Sequence, residues 1–255
     1  MKYIKHSLLI LLISTLMACG ASVKQKEETR RDKEAAVINA QLAAGYIRRG
    51  DLEIAEKKLL KSIEFDEYYV PAYTTMAVLK TMIGDREEAE KYYLDALDID
   101  PRNPELRNNY GTFLCNSGRL DEAFEQLNFA LNNQFYTTPE AAHANIGYCI
   151  LQSENPNYRL AEKHLRSALK KNPNLQSALL AMGELGVQSK KYLMARAYMQ
   201  RYHAVVKPNA HSLWLQIQAE RALGDKAYFI KLSQQLLKNF PESPEAEKVM
   251  ELTYK

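Results

Sequence analysis

The sequence lacks the short motifs that mark most enzyme active sites. It contains no glycine-rich phosphate-binding loop, no HExxH string and no GxSxG string. Four histidines lie apart from one another, as is typical of polar residues on helix faces: His143, His164, His203 and His211. These absences disfavour an enzyme, and the sequence predicts no catalytic residue, cofactor, metal ion or small-molecule substrate.

An excess of one charge sign is also missing. The chain has 34 basic and 31 acidic residues, for a formal charge of +3, and the two signs alternate along it. A nucleic-acid partner is therefore not expected. Asp95, Asp98, Asp100 and Asn103 resemble a calcium loop only superficially, because their spacing and the missing central glycine do not fit an EF-hand.

Glycine and proline are scarce, with 10 and 9 residues in a chain of 255, while 46% of the residues are apolar. This composition is typical of a globular protein and is not that of a disordered chain. The length suffices for one large domain or two small ones.

The N-terminus carries a targeting signal. Lys2 and Lys5 precede an apolar segment from Leu8 to Leu16, and the string Leu-Met-Ala-Cys ending at Cys19 resembles a lipobox. An ordinary signal peptide with a chance cysteine, or a transmembrane helix, is the alternative, but the apolar segment is short for a membrane span. We therefore expect residues 1–18 to be a lipoprotein signal peptide and Cys19 to be lipidated.

The residues after Cys19 indicate where the lipid would hold the chain. Gly20 stands where an inner-membrane retention signal usually has aspartate, so resemblance to known lipoproteins implies the outer membrane, with the protein facing the periplasm. Residues 19–34 have almost no apolar side chains and are expected to form a flexible tether.

A repeat of 34 residues organises the rest of the chain. Gly50, Gly84 and Gly118 are spaced by this period, and each is followed five residues later by an alanine: Ala55, Ala89 and Ala123. Small residues also precede each glycine, at Ala43, Ala77 and Gly111. The pattern is typical of tetratricopeptide helical hairpins, which must stack because one hairpin cannot bury its apolar face. It predicts an all-α, right-handed superhelix of about six hairpins and a closing helix.

The predicted solenoid covers residues 35–255. Its repeats are expected at approximately 36–69, 70–103, 104–139, 140–175, 176–209 and 210–243. The fourth has a turn lengthened by two residues, and the sixth is degenerate because Phe229 stands where alanine is expected. A closing helix over 243–255 would begin with Ser243 as N-cap and Pro244 at the first helical position.

Two cysteines fall on neighbouring first helices, Cys115 in the third repeat and Cys149 in the fourth. Such helices run side by side, so a disulfide is feasible, and a periplasmic location would preserve it. The alternative is a pair of buried free thiols, which is the usual state of cysteine in a helical core.

The first helices of tetratricopeptide hairpins line the inner surface of the solenoid, where a partner would bind. Projecting that face over the first three repeats predicts a groove formed by Ala40, Ala44, Ile47, Arg48, Thr74, Val78, Thr81, Met82, Asn108, Thr112 and Asn116. Its apolar part suits an amphipathic helix or an extended segment, and its asparagines suit a peptide backbone. Ile47, Val78 and Met82 fit a role in the core equally well.

Several strings resemble the PilF/PilW-type lipoproteins of type IV pilus biogenesis. They are Asn-Asn-Tyr-Gly-Thr-Phe-Leu-Cys at 108–115, Gly-Arg-Leu-Asp-Glu-Ala at 118–123, Ser-Leu-Trp-Leu at 212–215 and Phe-Pro-Glu-Ser-Pro-Glu-Ala at 240–246. The resemblance extends over nearly all of the chain after Cys19. It implies a tetratricopeptide fold and a pairing of Cys115 with Cys149.

The resemblance also implies a function. The family's members are pilotins, lipoproteins that help an outer-membrane secretin reach its membrane and multimerise. We therefore expect a secretin subunit as the protein partner, held by the groove while lipidated Cys19 directs the complex to the outer membrane. The alternative is a general protein adaptor of the cell envelope without a secretin client.

Overall fold

The structure is a computed structural model that describes residue 27 and residues 29–253. This part of the chain contains thirteen helices. It divides into two compact units, one ending at Arg102 and the other beginning at Asn103. The predicted signal peptide and the lipidation site at Cys19 lie outside the described residues.

The first unit consists of two helical hairpins. Helix α1 covers residues 29–49 and pairs with α2 (Leu52–Phe65), and α3 (Val70–Met82) pairs with α4 (Arg86–Ile99). Their shared core contains small and large apolar side chains from α1, α2 and α3: Ala40, Ala43, Ala55, Leu59, Ala72, Met76 and Leu79. A hydrogen bond from the Ser62 hydroxyl to the Ala36 carbonyl, 2.6 Å long and buried, also joins α2 to α1.

The second unit contains four hairpins and a closing helix. The hairpins are α5 (Pro104–Asn116) with α6 (Leu120–Leu131), α7 (Pro139–Leu151) with α8 (Tyr158–Lys171), α9 (Gln176–Gln188) with α10 (Tyr192–Val205), and α11 (Ala210–Leu223) with α12 (Lys226–Asn239). Helix α13 (Pro244–Thr253) packs on α11 and α12. The first helices α5, α7, α9 and α11 contact one another in that order and form one layer of the unit.

Glycine in a left-handed conformation closes four of these hairpins. Gly50, Gly84, Gly118 and Gly224 have φ angles of 84°, 83°, 78° and 77°. Glycine adopts such angles without strain because it has no Cβ atom. The fifth hairpin is different, because Lys190 occupies the corresponding position with φ 58° and is the only non-glycine residue with positive φ in the described part of the chain.

The small residues of the repeat lie where the two helices of a hairpin approach closely. A Cβ atom added to Gly111 would lie 3.1 Å from the Ala123 carbonyl oxygen, and one added to Gly147 would lie 2.6 Å from the Leu165 side chain. At Gly186 the added atom would lie 2.7 Å from the backbone nitrogen of Ala195. Glycine at these crossings therefore allows the two helices of a hairpin to pack closely.

Proline residues stand near two of the helix ends. Helix α4 ends at Ile99, two residues before Pro101. Helix α13 begins at Pro244, and the backbone N–H of Ala246 donates to the Ser243 hydroxyl over 3.2 Å. The degenerate sixth repeat still forms the hairpin α11–α12, with Phe229 partly buried against the core of that hairpin.

Cys115 and Cys149 form a disulfide that joins α5 to α7. Their Cα atoms are 5.7 Å apart, and both residues are buried. The bond therefore links consecutive hairpins through the layer of first helices.

Candidate partner-binding surfaces

In the first unit, the predicted groove residues divide between core and surface. Ala40 is only 7% exposed and belongs to the core, and Ile47 packs against that core. Ala44 and Val78 are half-buried, whereas Arg48 is exposed and Met82 is 54% exposed. The part that a partner could reach directly therefore centres on the last turns of α1 and α3.

The hydroxyl groups of two threonines on this face already donate hydrogen bonds within their own helix. The Thr74 hydroxyl donates to the Val70 carbonyl over 3.1 Å, and the Thr81 hydroxyl donates to the Ala77 carbonyl over 2.8 Å. Both side chains are half-buried. They offer a partner mainly their methyl groups, which makes the face more apolar than its composition suggests.

In the second unit, the predicted asparagine side chains are not equivalent. Asn108 is 7% exposed, and its side-chain oxygen accepts a hydrogen bond of 2.9 Å from the Asn145 amide on α7. The Thr112 hydroxyl donates to the Asn108 backbone carbonyl over 2.9 Å. Only Asn116 is exposed. The amide of Asn108 therefore helps to hold α5 against α7, and Asn116 is the better candidate for contact with a partner.

Polar groups of the same helix layer continue beyond α7. The Nε2 atom of His211 on α11 lies 2.8 Å from a carboxylate oxygen of Glu184 on α9, and its Nδ1 atom lies 3.8 Å from Glu245 on α13. The hydrogen bond to Glu184 raises the pKa of His211, and the charge of Glu245 adds to this effect. Burial raises the pKa of Tyr148 on α7, with a further contribution from Glu184. The contacts of His211 tie α9, α11 and α13 into one polar surface.

A cavity of about 550 Å³ opens at the end of this layer. Its walls come from the end of α9, the following corner, α11 and α13, and they include Lys190, Trp214, Gln218, Arg221 and Leu252. A second cavity of about 350 Å³ shares Arg221 and Leu252 with it and is lined also by Phe229 and Ile230. Together they form a candidate binding site in the second unit, and we call them the cationic cavity and the apolar cavity.

The predicted groove does not include this site, because it covers only the first three repeats. The same register continues into the fifth repeat: Lys190 lies five residues before Ala195, as Gly50 lies five residues before Ala55. A lysine at the position of the hairpin glycine is a signal that the sequence contains. The proximity of Trp214, Arg221 and Leu252 depends on how α13 folds back, which the repeat pattern does not specify.

His143 and His164 meet across the hairpin α7–α8, which the sequence analysis did not predict. Their Nδ1 atoms are 3.2 Å apart, so one ring donates and the other accepts when both are neutral. Burial lowers the pKa of both rings, and the charge of Lys171 adds to the effect at His143. Among the described residues, no group of three or more histidine, cysteine, aspartate or glutamate side chains could hold a metal ion.

These histidines predict opposite effects of acid on stability. A folded-state pKa below the ordinary value means that the unfolded chain binds more protons near pH 6, so His143 and His164 cost stability as the pH falls through about 6.5. His211 has a raised pKa, so its contribution is full below about pH 6.5 and is lost as the pH rises through its folded-state value. In urea unfolding at about pH 7.5 and about pH 5.5, His164→Gln should lessen the acid-induced loss of stability and His211→Gln should increase it. Equal pH dependence in both variants and the wild type would contradict this assignment.

The helical hairpins have small residues at their crossings and stack through a layer of first helices whose polar face is open. This arrangement defines a tetratricopeptide scaffold for binding other proteins. A sequence profile of the tetratricopeptide repeat family matches residues 92–125. The type IV pilus assembly protein PilF of Pseudomonas aeruginosa is 31% identical over 245 residues, which cover 95% of this chain and 96% of that protein. The chain therefore belongs to the PilF/PilW family of type IV pilus assembly proteins, a non-enzymatic family.

Solved structures of this family have the same fold. The crystal structure of PilW, described as a widely conserved type IV pilus biogenesis factor, has a TM-score of 0.73 and 27% sequence identity, and the match covers 84% of this chain and 98% of PilW. The structure of Pseudomonas aeruginosa PilF has a TM-score of 0.69 and 29% identity, covering 86% of this chain and 98% of that one. A further relative was identified by sequence: an uncharacterised Haemophilus influenzae protein is 26% identical over 135 residues, which cover 53% of this chain and 75% of that protein. The predicted all-α fold of stacked tetratricopeptide hairpins is confirmed.

Between residue 29 and residue 253, no helix is both long enough and apolar enough to span a membrane.

Proposed function

We propose that this protein is an outer-membrane lipoprotein that acts as a pilotin: it binds a type IV pilus secretin subunit and promotes the localisation and multimerisation of the secretin. The supporting observation is its similarity to PilF, a type IV pilus assembly protein, over 95% of the chain. The lipobox-like string that ends at Cys19 supports an anchor, and the face of the first helices supports protein binding.

In this proposal each part of the chain has a separate task. Lipidated Cys19 holds the protein at the inner leaflet of the outer membrane. Residues 29–34 of the expected tether are the first residues of helix α1, so the chain between Cys19 and α1 tethers the folded units to that lipid. The exposed groove residues, Arg48 and Met82 in the first unit and Asn116 in the second, are available to contact the secretin subunit. The disulfide and the Asn108–Asn145 hydrogen bond keep α5 and α7 in a fixed relative position, so the partner meets an ordered surface.

The proposal is tested by deleting the gene and measuring secretin multimers in the outer membrane, with pili counted in the same strain. We expect the multimers and the pili to be lost and to return with the wild-type gene. Cys19→Ser should restore neither fully, because the unlipidated protein would not carry its partner to the outer membrane. Normal multimers and normal pili in the deletion strain would overturn the proposal.

A general adaptor of the cell envelope is the alternative function. It predicts that deletion leaves secretin multimers intact while a different envelope assembly fails. Crosslinking from Met82 and Asn116, each replaced by a photoreactive residue, separates the two functions, because only a pilotin should give a secretin adduct at these positions.

A further inference from the structure

One hairpin corner of the second unit keeps a lysine where the other described corners of this type have glycine. Lys190 has φ 58°, while the glycines at four equivalent corners have φ between 77° and 84°. The left-handed region is unfavourable for a residue with a Cβ atom, and glycine would occupy it without strain. Residues held in such conformations cluster at functional sites. The conformation of Lys190 therefore suggests that its side chain has a function.

The Lys190 side chain lines the cationic cavity together with Arg221. No acidic side chain is among the residues that line this cavity. Across the described range 29–253, neither Lys190 nor Arg221 takes part in an ion pair. The cavity therefore carries two positive charges that the protein itself does not neutralise.

Two carboxylates, Glu220 and Asp225, line the adjoining apolar cavity, and Arg196 engages both of them. Glu220 is fully buried and accepts a hydrogen bond from the Nε atom of Arg196 over 2.9 Å, and Asp225 lies 3.6 Å from the same guanidinium. Lys248 adds a further positive charge, since its ammonium lies 5.8 Å from the centre of the Trp214 ring. The local balance at the cavity is thus positive.

The remaining walls suit a peptide. Trp214 and Tyr192 provide aromatic surface, and Gln188 and Gln218 provide amides that can pair with a peptide backbone. The adjoining apolar cavity shares Arg221 and Leu252, and Ile230 in its wall is 52% exposed. An occupant would therefore present a carboxylate to the first cavity and an apolar side chain to the second.

We propose that the two cavities bind an extended, acidic segment of a protein partner, whose aspartate or glutamate side chains pair with Lys190 and Arg221 and whose neighbouring apolar side chain enters the apolar cavity. This inference deepens the proposed function, on which it rests, by giving the chemistry of one contact with the partner. The left-handed Lys190 is retained in this arrangement because its ammonium binds the ligand.

The only tryptophan of the chain reports directly on this cavity. Trp214 lies in its wall, so its fluorescence should change on binding. The probe is an eight-residue peptide of alternating glutamate and leucine, acetylated and amidated so that only side-chain carboxylates are present. We expect a saturable change that weakens with added salt, and about tenfold weaker binding of the peptide with glutamine in place of glutamate. Equal binding of the two peptides, or no binding of the acidic one, would overturn the proposal.

Lys190→Gly separates ligand binding from folding, because the two readouts should move in opposite directions. Removing the strain should raise the Tm by about 2–4 °C, while losing the charge should weaken the acidic peptide about fivefold. Arg221→Gln should weaken it similarly, and Arg159→Gln, an exposed residue of α8 outside the cavities, should have no effect. A stabilised Lys190→Gly protein with unchanged peptide affinity would show that the lysine serves no ligand.

These outcomes are distinguishable from failure of the proposed function. The peptide titration requires no secretin, so its failure would exclude the acidic-peptide site while leaving the pilotin function to the deletion experiment. Normal secretin multimers in the deletion strain, combined with tight binding of the acidic peptide, would instead retain the site and assign it to another partner.

Discussion

Loss of the disulfide between Cys115 and Cys149 should lower the free energy of unfolding of the second unit by about 4 kcal/mol. The bond closes a loop with a sequence separation of 34 residues, and the loop-entropy relation gives this magnitude. The effect arises mainly because the reduced unfolded chain regains conformational freedom. The corresponding fall in Tm is on the order of 10 °C.

The measurement is urea unfolding of the wild type with and without reductant, beside a Cys115→Ala, Cys149→Ala double variant. The double variant should match the reduced wild type approximately and should not respond to reductant. A wild type whose unfolding midpoint is insensitive to reductant, with both thiols shown to be free by alkylation, would mean that the bond contributes nothing to stability.

Replacing Gly186 by alanine should destabilise the second unit by about 3 kcal/mol. A Cβ atom at this position would lie 2.7 Å from the nitrogen and 2.8 Å from the Cα atom of Ala195, so the obstacle is the backbone of α10. Backbone cannot move aside as a flexible side chain can, and α9 and α10 would have to separate. The smaller helix propensity of glycine offsets only part of this cost.

Two other glycines provide matched controls in the same unfolding measurement. At Gly183 the added atom would meet the flexible end of Met199, so Gly183→Ala should cost less than Gly186→Ala. At Gly45 the nearest atom is the Arg48 guanidinium at 3.8 Å, so Gly45→Ala should stabilise α1 by about 0.5–1 kcal/mol. If all three alanine variants shifted stability equally, close backbone approach would not be the cause.

The hairpins could be predicted from the sequence because each depends on local chemistry repeated at a fixed interval. Gly50, Gly84 and Gly118 have the left-handed φ that a hairpin corner requires, and the small residues five positions later are fully buried at the crossings. The pairing of Cys115 with Cys149 could be predicted for the same reason, since positions 34 residues apart fall on adjacent first helices.

The candidate site was predicted less completely, because burial and pairing depend on contacts distant in sequence. Periodicity places Ala40 and Asn108 on the face of the first helices. It does not show that Ala40 is buried in the core or that the Asn108 side chain is hydrogen-bonded to Asn145. The His143–His164 contact and the cavity beside Lys190 likewise depend on the packing of neighbouring helices. A register identifies a face of a helix, and only tertiary packing identifies which atoms of that face remain available.

The connection between α5 and α7 has a consequence for affinity. The disulfide fixes one end of this pair of helices, and the bond from Asn145 to Asn108 fixes it again about 10 Å away along α5. Two restraints so spaced suppress hinge motion between the hairpins before any ligand arrives. A binding surface that is already ordered loses little entropy on association, so contacts made across these two helices contribute nearly their full interaction energy to affinity.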